Sequence, residues 1–268
     1  VNQENRDPHA SPDPARELRT RAQLRAIGRG DAEIRAYTDA HRLVRVWPGR
    51  YRAAGPLPAE EEFLLMARAA AENSGVGLVL SHGAAAVLHG LETLHPDYDS
   101  VDFTAPGRSG GRRSGRRRVH MRRLDAEDVA VVEGLACTAI ARTALDLVLA
   151  GTYEQGICVL DSARRLGVPQ EDLVAAAARL GRRNGADLLR AVLPRASALP
   201  QSLGESYSRA LMHKWPEIPE PALQREFRGE TGELLCVPDF EWRGVVAGGV
   251  RRRVQVLQRR HGGGAVQP

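Results

Sequence analysis

The stretch "LPRASALPQS", residues 193–202, constrains the fold more than any other, because its two prolines and small polar residues interrupt helical and strand periods alike. A chain of 268 residues divided there has room for two or three units, each with its own core, and is not read as one domain. The expected class is α+β. Its units are a disordered arm (1–14), a winged helix-turn-helix (15–56), a central mixed α/β domain (57–192), the linker (193–202) and a further α/β unit (203–268). No internal repeat is visible.

The arm holds three prolines in polar filler. Beyond it, a short helix is expected through Ala22, Leu24 and Ile27, stopping at Gly28. Asp31 then caps a second helix that turns Ile34 and Tyr37 inward. "LVRVWPGRYR" alternates and breaks at Pro48-Gly49, as a strand-turn-strand wing does. Helix, tight turn, helix and hairpin is the order of a winged helix-turn-helix, whose second helix meets base edges. Glu33, Arg35, Thr38 and Arg42 point outward on that helix, and Arg21, Arg45 and Arg50 are placed for the phosphate backbone. The alternative is a winged fold that serves protein contacts only.

In the central part, residues 59–73 predict a helix whose acidic first turn suits the helix dipole. A short strand at 78–80 leads to Ser81, the expected cap of an Ala-rich helix ending at Gly90. Residues 100–137 read as β structure, and residues 139–192 as helices broken at Gly151, at 167–169 and near Gly181. His82 and His89 are seven apart on one helical face. Helical metal ligands usually sit three or four apart, so packing or capping is expected of them and no metal. Arg142 and Asp146, at i and i+4, predict either a surface ion pair contributing about 0.3–0.5 kcal/mol or two residues that separately tether neighbouring strands, a structural role in both cases. The run 108–123 carries eight arginines and no acid, which is footing for phosphate or else a solvated hairpin tip.

The net charge of +5 and a pI of about 9.5 suit an anionic partner, with Lys214 the sole lysine. Cys137, Cys158 and Cys236 lack metal or disulfide spacing and read as buried thiols. No apolar run approaches the roughly 18 residues of a membrane helix, and the polar N-terminal stretch shows no signal peptide, which predicts a cytoplasmic protein without membrane partners. Phosphate-binding loops and serine-esterase elbows are absent from the sequence, so nucleotide hydrolysis and serine-esterase chemistry lack support, and no cofactor is expected.

"RLVRVWPGRY", then "SHGAAAVLHGL", then an Arg-rich hairpin followed by "GLACTAIARTALDLV" together resemble actinobacterial proteins related to the AbiEi abortive-infection antitoxins, over about residues 20–200. Gln23, Leu24 and Gly28, then "RLVRV" and "PGRY", are the matching N-terminal positions. The resemblance implies a winged domain that binds the promoter of its own operon, and a following domain that counteracts a nucleotidyltransferase-like toxin. Many relatives continue into a domain similar to very-short-patch-repair endonucleases, of the restriction-endonuclease-like kind. There a helical Glu, a strand Asp and a later acid-x-Lys element hold Mg²⁺ for phosphodiester hydrolysis.

Glu205 in "LGESYSRAL" and Asp239 in "VPDF" match the first two of these positions. From Trp242 to Pro268 there is no Asp, Glu or Lys, so the third is missing. Glu241 shares a strand face with Asp239 and would be a third carboxylate for an ion. The resemblance therefore implies a DNA-binding autoregulator and antitoxin with a truncated endonuclease-like unit and a poorly ordered tail. The alternative is a Mg²⁺-dependent DNA endonuclease that has lost its last motif.

Overall fold

The computed structural model describes residues 13–75, 77–107, 110–181, 183–242 and 245–247, the last three by backbone alone. Most of the expected arm (1–12), the tail from 248 and two positions of the arginine run, 108 and 109, lie outside the described residues. The chain separates into two compact units that meet at Ala198 and Leu199, inside the proline-bearing segment.

The first unit opens with β1 (Arg19–Thr20), α1 (Arg21–Ala26), α2 (Asp31–Asp39) and the hairpin of β2 (Leu43–Trp47) and β3 (Arg50–Ala53). β3 lies between β1 and β2 in a three-stranded antiparallel sheet. α1 starts on a capping box in which Thr20 and Gln23 satisfy each other's backbone N–H groups. Leu24, Ile34 and Tyr51, with Leu43 against them, form a small core.

α1 closes on Ile27 as its C-cap, before Gly28 as expected, and Ile27 itself is 58% exposed. Two expectations are corrected in this segment. Gly30, not Asp31, occupies the N-cap of α2, and Asp31 instead draws Arg21 and Arg25 to its carboxylate. Tyr37 stays half-buried because Arg29 and Arg42 approach its ring at 4.2 and 5.5 Å.

The hairpin does not end the first unit. Val46 and Trp47 join the large core with Phe63 and Met66 of α3 (Ala59–Glu72), and the buried Arg52 pairs with Glu62 of that helix. A six-stranded mixed sheet follows, built from β4 (Val79–Leu80), β5 (Val101–Pro106), β6 (Gly111–Ser114), β7 (Arg117–Arg122), β8 (Val129–Val132) and β9 (Leu135–Thr138). Its order is β6-β7-β5-β4-β9-β8, with β5–β7 and β4–β9 parallel. Strand alternation gives the two faces different chemistry. Val101, Phe103 and Val119 enter the core beside α3, while Asp102, Thr104 and His120 belong to the opposite face.

The helices are α4 (His82–His89), α5 (Ile140–Ala150), α6 (Tyr153–Arg165), α7 (Gln170–Leu180) and α8 (Ala186–Val192). α4 ends on Gly90 in the left-handed conformation, at φ 69°, and its buried Ala84, Ala85 and Ala86 permit close packing. α5 contacts α4, α6, α7 and α8, so both of its faces are covered. That is why the Arg142–Asp146 pair, expected at the surface, is buried. Gly185, at φ 82°, admits no other residue, since a Cβ there would stand 2.7 Å from the Leu149 carbonyl oxygen.

The second unit has α9 (Leu203–Met212), capped by Ser202, and strands β10 (Ala222–Leu223), β11 (Phe227–Arg228), β12 (Leu234–Cys236), β13 (Phe240–Trp242) and β14 (Val245–Ala247). The hairpin expected here is nested. β10 pairs with β13, and β11 pairs with β12 through an irregular register. Cys236 is partly exposed, whereas Cys137 and Cys158 are buried thiols.

Candidate functional site

Among the arginines expected to meet DNA, the fold brings some together and separates others. Arg21, Arg35, Thr38 and Arg45 line one groove between α2 and the hairpin, together with Asp31 and Asp39. Arg35 and Arg45 are exposed there, while Arg21 is held by Asp31 at 3.0 Å. The Thr38 hydroxyl donates to the Ile34 carbonyl at 2.8 Å. Arg42, expected on the same helix, lies beyond its end at Asp39, in the turn before β2 and against Tyr37. Gln23 uses its side-chain oxygen in the helix cap, and Arg50 reaches Glu72 at 2.9 Å.

Within the second unit, Glu205 and Asp239 meet around one amide. Gln224 Nε2 donates to Glu205 Oε2 at 3.0 Å and to Asp239 Oδ1 at 3.2 Å. Gln224 adopts a positive φ of 50°, and its backbone N–H contacts the Asp239 carbonyl. Glu241, expected beside them, is 5% exposed and paired with Arg225 at 3.2 Å.

The polar face of the large sheet holds a cluster that spacing along α4 does not reveal. His120 Nε2 lies 2.7 Å from Asp102 Oδ1, and the rings of His82 and His120 stack with centroids 4.2 Å apart. Among the described residues, His82, Asp102 and His120 are the one group of three His, Cys, Asp or Glu residues whose ligand atoms all lie within 4.8 Å of one another. His82 thus belongs to this cluster as well as starting α4. It sits at φ 49°, a costly conformation for a residue with a Cβ, with Nδ1 3.1 Å from the Ser81 hydroxyl. Burial, and then the neighbouring His120, push its imidazole down to about 3, so the ring is neutral at pH 7. His89 is a packing residue, with Nε2 2.8 Å from the Thr138 carbonyl.

Next to this cluster lies a buried charge network. Arg142, 1% exposed, donates from Nη1 to Asp128 at 2.8 Å and from Nε to Asp146 at 2.9 Å, and Arg179 reaches Asp128 at 3.3 Å. Burial pushes the Asp146 carboxyl upward against the pull of Arg142. The pairs join α5, α7 and the turn before β8. Such pairs are strongly destabilising to break, because removing one partner leaves an uncompensated buried charge.

No protein-family model and no curated protein matches this chain. Among solved structures it is similar to the RV2827C protein from Mycobacterium tuberculosis, at 17% identity over 68% of this chain and 77% of that one, with a TM-score of 0.43.

Proposed function

We propose that the protein is a DNA-binding transcriptional autoregulator of the AbiEi antitoxin kind, acting by binding and not by catalysis. Residues 15–56 serve as its winged helix-turn-helix, and the mixed α/β region after them engages a nucleotidyltransferase-like toxin. The observation that carries the DNA part is the groove in which exposed Arg35 on α2 and exposed Arg45 on β2 face a common space. Arg35 and Thr38 approach the major groove, and Arg45 holds phosphate. Double-stranded DNA from the protein's own promoter is the partner to test. A gel shift at several salt concentrations should give a sequence-preferring complex that persists near physiological salt. Affinity that is equal for all sequences and vanishes there would refute specific repression.

A second reading is favoured by the meeting of Glu205 and Asp239 at Gln224. Two carboxylate oxygens around one donor fit a site where both hold Mg²⁺, which needs only one or two carboxylates plus substrate phosphate. Glu241 fits less well, since Arg225 occupies its carboxylate. Bound there, Mg²⁺ would supply Lewis-acid assistance to phosphodiester hydrolysis. Cleavage of supercoiled DNA by the native protein, lost in Asp239→Ala, would establish this endonuclease reading. Equal residual cleavage in both would dismiss it.

A further inference from the structure

A cleft of about 750 Å³ opens on the polar side of the large sheet, lined by residues of neither site above. Arg122, Arg123 and Arg183 line it, with His82, His120 and Asp146. The acids around it are already matched. Asp128 and Asp146 are answered by Arg142 and Arg179, and Asp125 takes Arg123 at 2.9 Å. Neutral His82 adds no charge. Arg122 and Arg183 therefore remain as positive charge with no carboxylate salt bridge of their own among the described residues, although Asp146 and Asp128 act on Arg183 from longer range.

Both guanidinium groups are oriented in advance by backbone carbonyls. Arg183 Nε donates to Leu180 O at 3.0 Å, and Arg122 Nη1 donates to Met121 O at 2.9 Å and Gly110 O at 3.3 Å. Arg183 is held below the usual guanidinium range by burial first and then by repulsion from Arg142, with Asp146 opposing, Arg122 adding to it and Asp128 opposing again. A bound anion would lower the remaining cost of placing these cations together. Beside them, Asp102 holds His120 by Nε2, which fixes the ring and leaves Nδ1 as its other hydrogen-bonding edge.

We propose that this cleft binds a phosphate-bearing small molecule, with Arg122 and Arg183 taking the phosphate and His120, fixed by Asp102, contacting the ligand beside it. Paired guanidinium forks suit a multiply charged tetrahedral anion with several acceptor oxygens. The volume exceeds that of inorganic phosphate and falls within the roughly 300–1,000 Å³ of small-molecule sites, which admits ligands up to about a mononucleotide.

Calorimetry on the full chain at fixed ionic strength, with inorganic phosphate, pyrophosphate, AMP and citrate as probes, tests this and separates the phosphate sources. One-to-one binding of at least one phosphate probe is expected, weakened tenfold or more in Arg122→Gln and in Arg183→Gln. Arg183→Lys, which keeps the charge and the fold but loses the fork, should weaken it several-fold. Arg35→Ala and Arg45→Ala should leave it unchanged, so that failure of DNA binding and failure of this site are told apart. No saturable phosphate binding, equal binding in the cleft variants, or equally tight citrate would overturn the proposal. So would stoichiometric Zn²⁺ uptake, abolished by His82→Asn, in a protein that ignores phosphate, because that would make the cluster a metal centre.

Discussion

Arginine does two different jobs in the first unit. Around α5, Arg142 is 1% exposed and fixed by two carboxylates, whereas on α2 and β2 Arg35 and Arg45 stand in solvent. Composition treats these residues alike, yet their energetics diverge. A buried guanidinium cannot be removed without stranding its partners, and an exposed one is available to something outside the chain.

The sharpest way to break this contrast is truncation. Arg142→Ala should lower unfolding stability by about 3–5 kcal/mol, because Asp128 and Asp146 lose their shared partner inside the fold. Arg35→Ala should stay within about 0.5 kcal/mol. Urea midpoints that move equally would show that burial does not separate the two classes.

Acid sharpens it next. His82 is neutral in the folded protein, with its titration at about 3, and it titrates near 6.5 when unfolded. The unfolded chain therefore binds the extra proton between those values. The stability due to this group is full above about pH 6.5 and falls as pH drops toward 3. From pH 7 to pH 5 the loss should reach about 2 kcal/mol, at up to about 1.4 kcal/mol per pH unit. His82→Asn, which tolerates the left-handed backbone, should remove that slope. A slope that persists in the variant would place the titrating group elsewhere.

On the exposed side, Arg35→Ala and Arg45→Ala should each cost about 1–2 kcal/mol of affinity for promoter DNA. The first should relax sequence preference. The second should weaken all sequences alike and lower the salt slope by about 1, as loss of a phosphate contact does. Smallest of all, Asp239→Ala should change stability by about 1 kcal/mol or less, since Asp239 is partly exposed and shares the Gln224 donor with Glu205.

What could be read in advance was local. Helix α3, the glycine stop at Gly90 and the breaks between α5, α6 and α7 follow from caps, glycines and apolar period, which act over a few residues. The buried state of Arg142 was not legible, because an i, i+4 pair looks the same whether or not helices cover it on both sides. His120 and Asp102 were hidden for a related reason. They lie 18 residues apart, on β7 and β5, and meet only because those strands pair in parallel. Alternation offered one clue, in that Asp102 and Thr104 interrupt a strand that is otherwise apolar. Glu205 and Asp239 were nominated by resemblance, and the residue that joins them, Gln224, carries no signal of its own.

The arginine-bearing strand β6 sits at the edge of the six-stranded sheet, and all four of its residues are exposed. An edge strand ordinarily offers unpaired backbone groups on which another chain can continue the sheet. Here a second copy arriving in register would bring its own Arg112 and Arg113 against the first pair, and repulsion would oppose the extra ladder. Like-charge repulsion along β6 therefore disfavours edge-to-edge pairing of two copies at that side of the sheet.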